Sequence, residues 1–261
     1  DGKWYAEQEK GETSNISLEK WNKLQDLPQF FELSNRLDLL RADKLGDEFG
    51  VQYIFRGGGD EFLRLDAIKK TNAALVIPMH FPTAYDVTDP YDAEEVSLTQ
   101  MKYWELAPTN PARLAAAGIP FAMTSRLNKD KKDFWKQVRK AYQHGLSEKD
   151  LLKALTTTPA KLIKAEQSLG TLEKDKLANF IITSDNILNE KVVIYQNWVK
   201  GKPYLIKDLN AIDIRGIYTL SIDNKTFSLE VKGSATAPKL SWTNPKDTSK
   251  KNKLKFTLVN N

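Results

Sequence analysis

Apolar runs alternate with helical patterns through the first two thirds of the chain. Four times, a short apolar run leads through a polar or glycine-containing turn into a segment with the periodicity of an amphipathic helix. Continuous apolar strands that alternate with such helices are typical of a parallel sheet. The pattern predicts an α/β fold with about four βα units, which is either half of an eight-fold barrel or a small open sheet. The predicted strands are residues 30–33, 51–55, 74–78 and 119–124.

Helix-start and helix-stop residues delimit the segments between these strands. Gly50 ends the first long helix, and the Asn110-Pro111 pair restarts a helix that Pro108 breaks. Proline fits the first turn of a helix but not its interior, which explains both positions. The predicted helices are residues 18–24, 36–49, 60–70, 98–117 with the break, 130–143, 147–155 and 159–165.

Beyond residue 165 the pattern changes to short strands separated by turns. The last segments alternate with the period of half-buried hairpins, and residues 254–259 do so without an obvious partner strand. The predicted strands are residues 180–182, 192–195, 198–199, 218–222, 226–231 and 254–259. We divide the chain into a polar lead-in (1–27), half of a barrel (28–165), a β-sandwich return segment (166–207) and a truncated antiparallel β domain (208–261).

Composition narrows the chemistry that the chain can perform. Hydrophobic residues make up 41% of its 261 residues, which is enough for a core, and no run approaches the ~18 apolar residues that span a bilayer. The absence of cysteine excludes disulfides, thiolate nucleophiles and cysteine-based metal sites. The net charge of +5 comes from lysines interleaved with acids, so we expect no nucleic-acid partner.

The string Gly58-Gly59-Asp60-Glu61-Phe62 spells the diguanylate cyclase signature. A helical pattern follows it where that family has a strand, and the family's upstream metal-binding segment is missing. We therefore interpret the motif as a glycine-rich βα turn in which Asp60 caps the following helix. The same glycines can instead cradle a phosphate at a helix N-terminus.

The two histidines offer few metal ligands. His80 follows the third predicted strand, where the loops of barrels carry catalytic residues, and this makes it a candidate catalytic residue. His144 precedes Gly145 at a predicted helix end, where an imidazolium complements the helix dipole. The acidic loop that contains Asp86 and Asp89 lacks the spacing of a calcium-binding EF-hand, so a solvated loop is expected.

Several segments that follow one another along the chain resemble the C-terminal part of the amidohydrolase superfamily, especially its imidazolonepropionase-like branch. They are residues 145–150 (GLSEKD), 154–162 (ALTTTPAKL), 170–180 (GTLEKDKLANF) and 199–202 (VKGK). The resemblance covers residues 28–206, although Asn179 stands where the family usually has Asp. The chain is also similar to long secreted amidohydrolase-like proteins of Bacteroidetes-type bacteria, which implies a periplasmic or extracellular location.

The resemblance implies zinc or another divalent metal held at the ends of barrel strands, with an Asp that takes a proton from the bound water. Carried over by position, the fifth-strand His becomes Glu32, the sixth-strand His becomes Arg56 or Gly57, and the eighth-strand Asp becomes Ser125. An arginine repels a metal, glycine has no ligand atom, and a serine without a neighbouring His is a poor base. We expect an inactive, structural segment that binds no cofactor, from a metal-dependent hydrolase of non-peptide C–N bonds.

Strands one to four of such a barrel are not in this chain, which begins with Asp1 rather than Met. We therefore expect it to be a piece of a longer polypeptide. The barrel is then completed by the upstream half of the same polypeptide or by another subunit.

Two alternatives remain at this stage. The first is an active metallo-hydrolase that the missing N-terminal half completes, with Glu32 as a substitute ligand. The second is a module that binds a small molecule or sugar through aromatic side chains, for which Trp104, Trp135, Tyr85 and Tyr91 are candidates.

Overall fold

A computed structural model describes residues 2–7, 14–207, 213–222, 225–234, 237–244 and 247–254. The chain divides into two compact units. The first comprises Asp1–Ala178 and Ile187–Glu190, and the second comprises Asn179–Asn186 and Lys191–Asn261. The first unit contains the parallel sheet and every helix in the described ranges, and the second contains antiparallel sheets.

Four parallel strands form the sheet of the first unit, in the order β1-β2-β3-β4. The strands are β1 (Phe30–Glu32), β2 (Ile54–Arg56), β3 (Ala74–Pro78) and β4 (Phe121–Thr124). Phe31 pairs with Phe55, and Leu75 pairs with both Phe55 and Phe121. All four strands lie within predicted apolar runs or at their ends, which confirms the parallel arrangement that the sequence predicts.

Helices connect and flank these strands. They are α1 (Gly2–Glu7), α2 (Ile16–Lys23), α3 (Arg36–Phe49), α4 (Leu65–Lys70), α5 (Pro90–Glu95), α6 (Leu98–Leu106), α7 (Asn110–Ala116), α8 (Asp133–Gln143), α9 (Glu148–Leu155) and α10 (Thr157–Leu162). The side chain of Asn35 accepts hydrogen bonds from the N–H groups of Leu37 and Asp38, and Gly50 ends α3 with a left-handed φ of 66°. These are the polar start and glycine stop that helix ends require.

Two helical segments differ in detail from the prediction. Residues 60–70 form a 3₁₀ turn, Glu61–Leu63, and then α4, because Arg64 between them has a non-helical backbone. The predicted break at Pro108 is confirmed, since a 3₁₀ turn, Ala107–Thr109, separates α6 from α7.

The two faces of the parallel sheet differ in burial. Phe55, Leu75 and Ile77 point to the helices and are fully buried. On the opposite face, Val76 is only half-buried and Phe30 is 46% exposed, although Ala122, which pairs with Val76, is buried. Parallel sheets are normally covered on both faces, so this second face is available for further packing.

The second unit contains two antiparallel sheets. One has the order β5-β6-β7 and the other β11-β10-β9-β8. Their strands are β5 (Phe180–Thr183), β6 (Ile194–Val199), β7 (Lys202–Leu205), β8 (Gly216–Ile222), β9 (Lys225–Ser234), β10 (Ala237–Asn244) and β11 (Asp247–Leu254). The Asn179 amide oxygen accepts a hydrogen bond from the Lys200 N–H at 2.6 Å, a contact that an Asp carboxylate also makes possible.

The strand predictions for this unit were partly wrong. The two short strands predicted over residues 192–199 are the single strand β6. Neither β10 nor β11 was predicted, and β11 is polar until its last residue, so it has no apolar alternation to detect. Of the strand predicted over residues 254–259, all but the first residue lies outside the described residues.

No helix in the described part of the chain is both long enough and apolar enough to cross a membrane.

Candidate functional site

The carboxyl ends of the parallel strands bring one acidic and two basic side chains together. Glu32 ends β1 and pairs in register with Arg56, which ends β2. The Glu32 Oε2 atom lies 3.1 Å from Arg56 Nη1, and its Oε1 atom lies 2.6 Å from Arg126 Nη2. We call Glu32, Arg56 and Arg126 the Glu32 cluster. Because each carboxylate oxygen contacts a different guanidinium, the three side chains form two ion pairs that share Glu32.

The Glu32 cluster carries a surplus of positive charge. An arginine stays protonated at any physiological pH, so two guanidinium groups face one carboxylate. The side chains of Glu32, Arg56 and Arg126 are 51%, 39% and 24% exposed, so solvent screens this charge only in part. A divalent metal would have to approach the Glu32 oxygens to about 2.0–2.6 Å, beside two fixed cations. The residues present therefore do not fit the metal that the family resemblance implies.

The other predicted site residues do not join this cluster. His80 is exposed and its ring makes no hydrogen bond to any described residue. The Ser125 hydroxyl likewise makes none, and its carbonyl accepts from the Asn128 N–H at 3.2 Å. Gly57 donates its N–H to the Val76 carbonyl at 3.1 Å and offers no ligand atom. Over the described ranges, the His, Asp and Glu side chains form no group of three that could hold a metal.

Arg126 is the member of the cluster that sequence reasoning missed. It lies two residues beyond β4, next to Ser125, and Thr124 Oγ1 accepts a hydrogen bond from its N–H at 3.2 Å. The family comparison by position stops at Ser125, and no periodicity marks the following residue. Arg126 is identified only by the three-dimensional structure, in which it contacts Glu32 at the end of β1.

The glycine-rich motif forms the predicted βα turn, but Asp60 does not cap the helix that follows it. Its carboxylate instead accepts hydrogen bonds from the Arg36 N–H at 2.8 Å and from Arg36 Nη1 at 2.5 Å. Arg36 is the first residue of α3, so Asp60 caps a neighbouring helix. The helix after the motif begins only at Leu65, which leaves Asp60 too far from its N-terminus.

Glu61 of the same motif is fully buried. Its Oε1 atom accepts from the Gly59 N–H at 3.0 Å, and its Oε2 atom accepts from Asn110 Nδ2 at 2.6 Å. The Asn110 Oδ1 atom in turn accepts from the Phe62 N–H at 2.9 Å. Burial raises the pKa of the Glu61 carboxyl above its ordinary value, although these hydrogen bonds oppose the shift. A phosphate bound by this loop would need the backbone N–H groups of Gly59 and Phe62. Both N–H groups already donate to side chains, that of Gly59 to Glu61 and that of Phe62 to Asn110.

The four aromatic candidates do not converge on one site. Tyr85 lines a cleft of about 570 Å³, whereas Trp104 lines a different groove. Trp135 packs against Phe134 with ring centroids 5.6 Å apart, and Tyr91 is 81% exposed. The lining of the Tyr85 cleft comprises Ser34, Arg36, Gly58, Asp60, Phe62, Leu63, Tyr85, Thr99, Gln100, Lys102, Tyr103 and Leu106.

His144 and the acidic loop have local structural roles. His144 ends α8, and its Nδ1 atom lies 2.7 Å from the Lys140 carbonyl oxygen, which confirms the predicted cap. In the acidic loop, Asp86 accepts from the Thr88 hydroxyl and N–H, and these bonds lower the pKa of Asp86. Asp89 caps α5.

Comparisons with known proteins relate this architecture to one family. Residues 106–204 match the sequence profile of the amidohydrolase family. An amidohydrolase from Thermotoga maritima MSB8 is similar over 76% of this chain and 49% of its own length, with a TM-score of 0.59 and 20% identity. A Xaa-Pro dipeptidase with bound methionine in its active site is similar over 73% of this chain and 47% of its own, with a TM-score of 0.50 and 17% identity. A search of the curated proteins gives no match.

At this level of identity the structural similarity establishes the fold alone. It confirms the predicted fold class, a partial (β/α)₈ TIM-type barrel followed by antiparallel β segments. The chain spans about half the length of these solved chains.

Proposed function

We propose that the chain is part of an amidohydrolase-superfamily protein, and that it is a catalytically inactive half barrel with a structural role in that larger protein. By class, the larger protein would be a metal-dependent hydrolase of non-peptide C–N bonds. Its catalytically active copy of this module would lie elsewhere in the larger protein's chain. A periplasmic or extracellular location stays a prediction from the family resemblance.

The Glu32 cluster is the observation that carries this proposal. In an active member, the metal at these strand ends makes hydroxide available near neutral pH. Here both oxygens of the carboxylate are bound by Arg56 and Arg126, so the ion pair takes the place of a metal–ligand arrangement. No catalytic step through a metal follows from these residues, because a base positioned by a second group is also missing among them.

The open face of the parallel sheet supports a structural role. Phe30 and the half-buried Ile54, Ala74 and Val76 lie on the face opposite the helices, at strand positions that face inward in a barrel. A partner that supplies further strands would bury these apolar side chains. We propose that the partner is the upstream half of the same polypeptide, because the similar solved chains are about twice as long.

Metal analysis of a Glu32→Ala variant tests the proposal. The native full-length protein and the variant are dialysed, and metal per chain is measured by elemental mass spectrometry. We expect the same metal content in both, since Glu32 binds arginines rather than a metal. Glu173→Ala is the matched control, because Glu173 is also a surface carboxylate in an ion pair, with Lys176 at 3.0 Å.

The rival hypothesis is an active metallo-hydrolase in which Glu32 is a substitute ligand. It predicts the loss of about one metal ion per chain in Glu32→Ala and none in Glu173→Ala. That result would overturn the inactive half barrel.

The cleft of about 570 Å³ keeps a binding module as a second candidate function. Its volume is in the range of small-molecule sites, and Tyr85 and Tyr103 provide aromatic surface beside the Arg36–Asp60 ion pair. A panel of mono- and disaccharides should then raise the melting temperature of the native protein. The increase should be lost in Tyr85→Ala but kept in Tyr91→Ala, which removes an exposed tyrosine outside the cleft.

A further inference from the structure

A groove of about 630 Å³ runs along α8. One wall is the exposed face of α8, and the other is the segment that follows β3 together with Trp104 of α6. The lining residues are Phe81, Pro82, Thr83, Ala84, Trp104, Lys136, Gln137, Arg139, Lys140, Gln143, His144 and Glu190. None of them belongs to the Glu32 cluster, so the groove is independent of the proposed function.

The α8 wall of the groove is strongly basic. Arg139 and Lys140 follow Lys136 by three and four residues, so all three side chains lie toward one helix face. None of the three makes an ion pair with a described carboxylate. Glu190 is the one acidic residue among the lining residues, so the groove keeps a surplus of positive charge even with His144 neutral.

Two polar atoms of this wall are buried without a hydrogen-bond partner among the described residues. They are Arg139 Nε and Gln137 Oε1. Arg139 is otherwise held by a bond from Nη2 to the Ile187 carbonyl oxygen at 3.4 Å, which leaves its Nε donor unused. Buried polar atoms are nearly always hydrogen-bonded, so the unused Arg139 donor beside two lysines can take an acceptor from a bound ligand, whereas the unused Gln137 oxygen needs a donor.

The opposite wall is apolar. Trp104 is 37% exposed, and Phe81 lies beneath Lys140, whose Nζ is 6.0 Å from the ring centroid. A groove with cations on one side and an aromatic surface on the other favours a ligand that has both anionic groups and a flat apolar part.

We propose that this groove binds a small organic polyanion, in which carboxylate or phosphate groups contact Lys136, Arg139 and Lys140 and a ring packs on Trp104. Glu190 repels such a ligand locally, which favours binding of the anionic groups toward the α8 side. Carboxylates and phosphates share the required chemistry, since both accept charge-assisted hydrogen bonds from Lys and Arg.

Calorimetric titration of the native full-length protein tests this proposal. The probes are citrate, inorganic pyrophosphate and phenyl phosphate, each at low ionic strength, where charge attraction is least screened. We expect saturable binding of at least one probe, and the tighter of citrate and pyrophosphate identifies the preferred anionic group. Trp104→Leu should weaken phenyl phosphate more than pyrophosphate.

Charge variants locate the site. Lys136→Gln with Lys140→Gln should weaken binding by at least about tenfold, because two charge-assisted contacts are lost. Lys149→Gln with Lys161→Gln changes the net charge equally on exposed helix positions outside the groove, and should change the affinity by less than about twofold. Equal loss in both double variants would overturn the proposal, as would the absence of saturable binding of all three probes.

Discussion

Glu32 separates two permanent cations at the strand ends. If its charge is removed, Arg56 and Arg126 lose their shared partner and repel each other across a short distance. Glu32→Gln should therefore lower the free energy of unfolding of the native protein by about 1 kcal/mol, a modest value because the side chains are partly exposed. Urea denaturation at low and high salt measures the change, which should shrink as salt screens the charges.

A triple variant checks the cause of that loss. Glu32→Gln combined with Arg56→Gln and Arg126→Gln removes the repulsion as well as the attraction. It should recover part of the stability that Glu32→Gln alone loses. A further loss in the triple variant would show that the arginines stabilise the fold through other contacts.

Glu61 makes stability depend on pH. Burial raises its pKa in the folded protein from an ordinary value of 4.5, so the folded state holds this proton more strongly than the unfolded chain. Its contribution to stability is complete below pH 4.5 and is lost as the pH rises through the raised pKa. The stability difference between wild type and Glu61→Gln, from urea denaturation at several pH values, should accordingly fall as the pH rises.

Glu105→Gln removes an exposed carboxylate and is the control for the loss of one charge. A stability difference for Glu61→Gln that grows with rising pH would contradict the burial of an acidic group at this position.

At the scale of residues, the sequence identifies the positions of candidate site residues better than it identifies the side chains that these residues contact. Glu32, Arg56 and Ser125 are identified by the positions that the family resemblance carries over, and Glu32 and Arg56 are the last residues of β1 and β2. The Glu61–Asn110 bond joins residues 49 positions apart, and nothing local in either segment marks the pair. Asp60 shows the same limit, since its partner is on α3 rather than on the helix that follows it.

At the scale of elements, Gly58 fixes how closely the turn after β2 approaches the turn after β1. A Cβ atom at Gly58 would collide with the carbonyl group of Ser34, which is backbone and cannot rotate away. Gly58→Ala should therefore lower the free energy of unfolding by about 2 kcal/mol or more. Thermal or urea unfolding of the native protein measures it.

Gly50→Ala is the matched glycine control. Gly50 has a left-handed φ of 66° but open space around it, so alanine there meets only backbone strain of about 1 kcal/mol. Equal losses for the two variants would show that the close approach at Gly58 contributes nothing beyond local conformation.

The elements were predictable where burial imposes a pattern. β2, β3 and β4 bury apolar side chains, and α3 has both a capping residue and a glycine stop, whereas the residues of β1 are exposed. β11 was missed because its residues are polar up to Leu254 and show no apolar alternation. Its pairing with β10 depends on backbone hydrogen bonds that any sequence can make.

At the scale of the whole molecule, the proposed half barrel predicts a partner on the open face of its parallel sheet. Phe30→Glu places a charge on this face, where the upstream half would bury it. In the native protein the variant should lose about 2 kcal/mol or more, because a buried unpaired carboxylate is costly. Tyr91→Glu, at an exposed position of α5, should change stability by less than about 0.5 kcal/mol. If Phe30→Glu left the stability unchanged, this face of the sheet would be open to water in the native protein.

The most direct test of the account is anomalous X-ray diffraction from crystals of the native protein grown with zinc, recorded at the zinc absorption edge. The account predicts that the Glu32 carboxylate lies within ion-pair distance of Arg56 and Arg126, with no anomalous peak at the Glu32 carboxylate. A zinc peak within about 2.5 Å of a Glu32 oxygen, with the arginines displaced, would contradict it.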